Sequence, residues 1–322
     1  MKTLIGIVTF GNLEFTKLTI DSIRETTKSP VDFFVVIGKP GDKETPAWLQ
    51  SQDAAYMVHR ENRGFPASIN DIYDYAWFVK GYSRVIIAGN DIVPYPGAID
   101  ALIDQATTTD FEWIASSMFD VQSLVAYYPE QARYFEGPTF TFRDWGSRPW
   151  DVHAPTVEDA VKAFEWMRAG VESNPEGPSL IKDVRNLCLF KYGVFEKLGY
   201  ADVNFWPGGY FEDNDYARRA VNAGIKSCAL PHSQYFHFWS RTIHQGEPGG
   251  AITASKRDAC FCANERFYLT KWGGPFSAER YAVPFDAGPF ALTPEIVWQG
   301  ALKIPDRIQE SAIIEHWAGQ NS

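Results

Sequence analysis

Short apolar runs alternate with longer amphipathic stretches through the first third of the chain, and this alternation constrains the fold more than any other feature. The apolar runs occupy residues 4–10, 31–37, 55–59 and 84–88. Segments 13–27 and 66–80 carry apolar side chains at helical spacing. Strands and helices that alternate in this way predict an α/β fold, with a mostly parallel sheet flanked by helices on both faces.

The rest of the chain is less regular. Residues 118–155 place aromatic side chains among glycine and proline without a sustained period, and we interpret them as an aromatic-rich insertion. The other predicted elements are helices at 156–169, 211–222 and 307–317 and strands at 186–191 and 226–230. The region after about residue 250 is interpreted as a C-terminal helical extension.

Composition limits the classes of protein to which this chain can belong. Its 322 residues are 45% hydrophobic, which is enough for a large core, and its net charge of −10 disfavours non-specific binding to nucleic acid or an anionic membrane. No apolar stretch approaches the roughly 20 residues of a membrane span. The four scattered cysteines predict reduced thiols, although Cys260 and Cys262 could hold a metal instead of packing near a helix start. We therefore expect a globular, cytoplasmic protein without a membrane span.

The fourth strand ends on two polar residues, Asn90 and Asp91, in the stretch RVIIAGNDIVPYPG. Ligands of open α/β sheets bind beyond the carboxyl ends of the strands, which is where these side chains are predicted to lie. An aspartate after a strand also serves as a turn residue or a helix cap. Asp91 is thus a candidate ligand-binding residue if other polar groups reach the same edge.

The segment ENRGFPASIND follows the third strand and has two interpretations. Gly64 would let the backbone approach a ligand, Asn62 and Asn70 would bind a base or ribose, and Arg63 would meet a phosphate. The alternative is an ordinary strand-to-helix turn with a solvated arginine.

Two further segments carry groups suited to chemistry. GGYFEDNDYARR places Glu212, Asp213 and Asp215 at a helix start, where they are either general-base candidates or acids that favour a helix N-terminus, with Arg218 and Arg219 as surface partners. PHSQYFHFWSRT embeds His237 among aromatic residues, where it is either a ligand or a packed side chain.

Taken in order, five segments of residues 3–242 resemble GT-A (Rossmann-like) glycosyltransferases, nearest to the family-two group of inverting, nucleotide-sugar-dependent enzymes. The segments are IGIVTFGNLEFTKLTIDSI, NRGFPASIN, GNDIVPYPGAIDALI, LFKYGVFEKLGYADVNFWPGGYFEDNDYARRAVNAG and YFHFWSRT. The resemblance implies a catalytic domain at 1–245, with a nucleotide-sugar half at 1–110 and an acceptor half at 111–245. Residues 246–322 would form an extension packed on it.

The resemblance also implies roles for individual residues. Asp91 would bind a divalent cation, Mn²⁺ or Mg²⁺, that bridges the diphosphate of a nucleotide-sugar donor, and His237 would complete the metal site. Asp213 would take the proton from the acceptor hydroxyl. The implied nucleotide-sugar contacts are Thr9, Phe10, Asn62, Gly64, Asn70 and Asn90, and the implied acceptor-side residues are Glu212, Trp206 and Gly208.

The sequence departs from the family pattern at two positions. The family usually carries an aspartate that holds uracil after the second strand, whereas this chain has Gly38 and Lys39, with Asp42 further on. The metal segment has one carboxylate instead of two, which would weaken cation binding. The acceptor is open among a glycan, a protein and a modified nucleobase. Two other functions stay open: a nucleotidyltransferase on a related α/β fold, and a non-catalytic module that binds sugar or protein.

Overall fold

The computed structural model describes residues 2–52, 54–120, 156–158, 161, 165, 181–182, 186–205, 210–238, 254–286 and 312–316. The strands are β1 (Thr3–Thr9), β2 (Val31–Ile37), β3 (Ala55–His59), β4 (Arg84–Gly89), β5 (Ile92–Pro94), β6 (Trp113–Asp120), β7 (Ile181–Lys182), β8 (Leu187–Lys191), β9 (Ser227–His237) and β10 (Ala312–His316). The helices are α1 (Leu13–Thr26), α2 (Glu44–Ser51), α3 (Gly64–Tyr73), α4 (Ala98–Thr108), α5 (Tyr192–Leu198), α6 (Glu212–Asn222) and α7 (Ala254–Trp272). A π-helical segment, Asp74–Val79, continues α3.

The ten strands form one sheet in the order β10-β3-β2-β1-β4-β8-β6-β9-β5, with β7 paired to β6. Strands β1 to β4 run parallel to one another, as predicted, and β6 runs parallel to β9. Strand β8 is antiparallel to both β4 and β6, and β5 is antiparallel to β9, so the sheet as a whole is mixed. The α/β fold class is confirmed.

The two faces of the sheet are covered by different helices. Helices α1, α2 and α4 pack on one face, and α3, α5 and α6 pack on the other. Strand β4 shows the resulting alternation: Val85 and Ile87 point to the α3 side, while Ile86 and Ala88 point to the α1 side. Burial on both faces explains why the strands are continuous apolar runs.

The chain reverses its winding at β1. It proceeds from β1 to β2 to β3 in one direction, and then crosses back to place β4 on the other side of β1. Such a reversal opens a crevice at the carboxyl ends of the two central strands, which is the usual ligand position in open α/β sheets. The topology therefore predicts a crevice at the carboxyl ends of β1 and β4.

One predicted helix is wrong. Residues 312–316, inside the helix predicted at 307–317, form strand β10, which pairs antiparallel with β3. The sheet would otherwise end at β3, and the backbone hydrogen bonds that this edge offers override a local amphipathic pattern. Strand β9 is longer than predicted, and the aromatic-rich insertion lies largely outside the described residues, although β6 extends to Asp120. None of the helices in the described ranges has the length and apolar character needed to cross a membrane.

Candidate active site

Polar side chains come together where β4 and β9 end and β8 begins. Asp91 follows β4, and its carboxylate Oδ1 lies 3.1 Å from Nε2 of His237, the last residue of β9. The backbone N–H of Phe238 donates to the Asp91 carbonyl at 2.9 Å, which fixes the two segments together. Both side chains are largely buried, since Asp91 is 5% and His237 8% exposed. The two residues implied as metal ligands are thus neighbours in the fold.

Asn186 is a third member of this group and was not predicted as a site residue. Its Nδ2 lies 3.3 Å from Nδ1 of His237, and its carbonyl accepts the Gly89 N–H at 2.8 Å. Because β8 runs antiparallel to β4, the start of β8 lies where β4 ends. Strand direction is a tertiary property, so the sequence pattern alone carried no signal for Asn186.

The Asp91–His237 pair fits a divalent cation by its chemistry and spacing. Two ligands that each lie about 2.1 Å from a cation, at right angles, are about 3 Å apart, which also matches a hydrogen bond between the groups. For Nε2 of His237 to bind the cation, Nδ1 must carry the ring proton and donate a hydrogen bond to the Asn186 side-chain oxygen. This requires only that the oxygen and nitrogen of the Asn186 amide exchange places. No group of three or more His, Cys, Asp or Glu side chains suited to a metal occurs among the described residues. The described residues would therefore supply few of the cation's ligands.

Hydrogen bonds tie the ends of β1 and β4 together across the crevice. The Thr9 hydroxyl lies 2.8 Å from that of Thr16, and the Asn90 amide donates to Thr9 Oγ1 at 3.1 Å. Thr16 in turn donates to the Asn12 carbonyl at 2.9 Å. The structure therefore brings Thr9 and Asn90 together as a buried brace behind the edge, with Phe10 partly exposed beside it.

The residues of ENRGFPASIND that the resemblance assigns to the nucleotide make hydrogen bonds within the protein. Asn70 is buried and makes two hydrogen bonds with the backbone of Ala201, at 2.9 and 2.8 Å. Asn62 accepts the N–H of Gly64, whose φ of +78° favours glycine. Arg63, predicted to be solvated or to meet a phosphate, donates to Asp71 at 2.9 Å. This segment therefore shapes the strand-to-helix turn.

The candidate base lies in the first turn of α6. Asp213 is partly exposed and accepts the N–H of Asn214 at 2.8 Å, whereas Glu212 is only 6% exposed. The two residues before the helix, Tyr210 and Phe211, have φ of 72° and 68°, in the left-handed region that is unfavourable for bulky side chains. Trp206 and Gly208, the other acceptor-side predictions, lie outside the described residues. Asp213 is the member of the acidic group most accessible to a substrate.

A buried charge cluster holds α6 against α7. Lys271 Nζ lies 2.6 Å from Asp215 Oδ1 and 2.7 Å from Asp202 Oδ2. Arg219 donates to Asp215 at 3.0 Å, so Arg219 is a buried partner and not the predicted surface one. Burial alone would raise the pKa of Asp215, but the Lys271 ammonium and the Arg219 guanidinium lower it below its usual value. Asp215 is thus an ionised structural residue.

Comparison with known proteins yields structural matches only, since no protein-family model and no curated protein matches the sequence. One match is glucosyl-3-phosphoglycerate synthase from Mycobacterium tuberculosis, in complex with Mn²⁺, UDP and glucosyl-3-phosphoglycerate. The two chains are 11% identical with a TM-score of 0.49, and the match covers 86% of this chain and 81% of the synthase. Another is the mannosyltransferase PcManGT from Pyrobaculum calidifontis, in complex with GDP-Man and Mn²⁺, with 14% identity, coverages of 73% and 56%, and a TM-score of 0.45. A third is S. aureus TarS 1–349, with 10% identity, coverages of 84% and 71%, and a TM-score of 0.48.

Proposed function

We propose that this protein is a glycosyltransferase that moves a sugar from a nucleotide-diphosphate donor to an acceptor hydroxyl with inversion. The observation that carries the proposal is the Asp91–His237 pair, 3.1 Å apart at the edge where β4, β8 and β9 meet. The pair lies next to the crevice where the chain reverses its winding. A ligand in this crevice would reach both groups.

Asp91 and His237 would hold a divalent cation together with oxygens of the donor diphosphate. Mg²⁺-type cations are commonly bound by one or two carboxylates with substrate phosphates, which suits a site with few protein ligands. The bound cation would supply positive charge opposite the negative charge that develops on the departing diphosphate. The Asn186 amide would orient the His237 ring for this role.

Asp213 would act as the general base. Its carboxylate is partly exposed at the first turn of α6, where it can accept the proton of an acceptor hydroxyl. As that proton moves to Asp213, the acceptor oxygen forms a bond to the anomeric carbon while the bond to the diphosphate breaks on the opposite side. A single displacement of this kind inverts the anomeric centre.

The first experiment is a donor panel. Wild-type protein is incubated with UDP- and GDP-sugars and Mn²⁺, with glycan, protein and nucleobase acceptors, and nucleoside diphosphate release and thermal shift are measured. We expect one donor to stabilise the protein and to be consumed. Release of pyrophosphate would support a nucleotidyltransferase instead, and the absence of both turnover and stabilisation with every donor would contradict the proposal.

Variants then test the two roles separately. Asp213→Asn is expected to lower kcat by about 10²–10⁴-fold with donor affinity unchanged, because only proton removal is lost. Asp91→Asn is expected to abolish the dependence of donor binding on Mn²⁺. Asp104→Asn, an exposed position on α4, is the matched control and should leave both quantities unchanged. Full activity in Asp213→Asn would remove the base assignment.

A further inference from the structure

Lys271, in the last turn of α7, joins the two ends of the chain segment that carries the candidate base. Its Nζ lies 2.7 Å from Asp202 Oδ2 and 2.6 Å from Asp215 Oδ1. Asp213 lies between these two aspartates in the sequence, in the same helical turn as Asp215. Residues 206–209, also between them, are outside the described ranges. One ammonium group therefore bonds to the chain both before and after Asp213.

The two carboxylates need a cation between them, because both are removed from water. The side chains of Asp202 and Asp215 are 1% and 0% exposed, and that of Lys271 is 1% exposed. Arg219 donates to Asp215 and to the backbone carbonyls of Leu198 and Tyr200. Two buried carboxylates this close repel each other unless a positive charge compensates them. Lys271 is the cation that bonds to both, so it holds the start of the segment next to α6.

Both ends of the segment are attached to well-packed parts of the fold. Asp202 directly follows Ala201, whose backbone is bonded to the Asn70 side chain of α3. At the other end, the N–H of Asp215 donates to the carbonyl of Phe211 at 2.9 Å, and Phe211 has an unfavourable φ of 68°. A change in the distance between Asp202 and Asp215 would therefore be transmitted to the turn that contains Asp213.

We propose that Lys271 is a positioning residue for proton transfer, because it fixes the turn that presents Asp213 to the acceptor hydroxyl. This inference rests on the proposed function. A buried ion pair contributes little net stability compared with a well-packed apolar replacement, whereas it does fix geometry. A catalytic group displaced by about 1 Å can lose about 10²-fold in rate. The main effect of Lys271 is therefore on the rate of transfer, which makes α7 part of the catalytic machinery.

Steady-state kinetics of variants of the full chain test the proposal. Asp202→Ala removes the contact at the start of the segment and leaves the Lys271–Asp215 pair in place. It is expected to lower kcat by about tenfold, with the KM and the affinity for the donor changed less than about threefold. Asn204→Ala is the matched control, because the exposed Asn204 donates at 2.7 Å to the other oxygen of Asp202, so its loss leaves the Lys271 contact intact. It should keep the wild-type kcat.

A double-mutant cycle and a stability control separate positioning from general stability. In the Lys271→Met background, Asp202→Ala should lower kcat by less than about twofold, because the shared contact is already lost. Arg84→Met removes a buried cation at the amino end of β4, whose partners are the Thr3 and Thr107 hydroxyls, and it should lower the Tm without lowering kcat. Additive losses in the cycle would overturn the inference. Equal losses of kcat in Asp202→Ala and Arg84→Met would also overturn it, and this comparison holds even where Lys271→Met does not fold.

Hydrogen exchange measured by mass spectrometry gives a readout that does not depend on activity. The peptide covering residues 210–216 should exchange at least about tenfold faster in Asp202→Ala than in the wild type, while a peptide from α4 should be unchanged. Unchanged exchange at 210–216 would overturn the inference about Lys271 whatever the kinetics show. A wild type that transfers no sugar from any donor would contradict the proposed function itself, and the exchange result would still decide whether Lys271 holds the segment.

Discussion

Asn70 shows how a residue that fits a motif can be used for another purpose. The resemblance implies a nucleotide contact, but both polar atoms of its side chain are bonded to the backbone of Ala201. These bonds join α3 to the segment between α5 and α6, inside the core of the α3 face. Asn70 is therefore first a structural residue, and its nucleotide role stays a prediction.

We expect Asn70→Ala to lower the free energy of unfolding by about 2–4 kcal/mol, because it leaves a buried N–H and a buried carbonyl of Ala201 without partners. Urea unfolding measures this change. Asn222→Ala, which removes an exposed side-chain bond to the Ala282 carbonyl, is the control and should cost less than about 1 kcal/mol. An unchanged stability with weakened nucleotide binding would restore the nucleotide role of Asn70.

Asp215 makes a pH-dependent contribution to stability. Its pKa in the folded protein is lowered from the usual 3.8, because Lys271 and Arg219 together outweigh the cost of burial. A lowered folded-state pKa means that the stabilisation is fully present above the unfolded pKa and is lost as the pH falls through the folded one. We expect Asp215→Asn to be less stable than the wild type between pH 5 and 7 and the gap to narrow below about pH 3.8. Urea unfolding of both proteins as a function of pH is the measurement, and a gap that stays constant down to pH 2.5 would contradict this account.

At the scale of elements, α7 supports the turn that presents the candidate base. Phe261 on α7 packs against the rings of Tyr210 and Phe211, with centroids 5.4 and 5.2 Å away. These are the two residues in the left-handed region immediately before α6. A conformation that is locally unfavourable persists only where surrounding contacts hold it, and α7 supplies such contacts.

Phe261→Ala is therefore expected to lower kcat by about tenfold while donor affinity changes less than threefold, because a small displacement of a catalytic group lowers the rate strongly. Steady-state kinetics with the identified donor and calorimetric donor titration measure the two effects. Phe261 is 41% exposed, so the substitution should be tolerated by the fold, and Leu269→Ala, at 37% exposure on the same helix, is the matched control. An equal loss of kcat in both variants would show that α7 acts only through general stability.

Local sequence signals were sufficient for some elements and not for others. Strands β1 to β4 are short apolar runs bounded by turn residues, and they form as predicted because burial on both faces reinforces the local pattern. Strand β10 was mistaken for a helix because its structure depends on the edge of β3, far away in sequence. Asp91 and His237 were each identified from a local sequence motif. Asn186 and Lys271 were not, because their partners come close only when the sheet and the helices assemble.

For the whole molecule, the sheet topology places several weak features on one edge. The Asp91–His237 pair and the Thr9–Asn90 brace lie next to each other at the carboxyl ends of β4 and β1. Each is modest alone, and the pair offers few ligands to a cation. A cation site of this composition would be completed by the substrate, so we expect the cation and the nucleotide to bind cooperatively.

We expect Mn²⁺ and the preferred nucleoside diphosphate to raise each other's affinity by the same factor, of about 5–150-fold, since coupling between two ligands is reciprocal. Calorimetric titration of each ligand in the absence and presence of saturating partner measures both factors. His237→Ala removes one of the two proposed protein ligands and should reduce the coupling, because the diphosphate would then meet a more weakly held cation. Asp104→Asn, at an exposed position in the second half of α4, is the control and should retain the full coupling factor. Additive binding in the wild type would mean that the cation and the nucleotide do not share a site, and the Asp91–His237 pair would then be a hydrogen-bonded pair of the core.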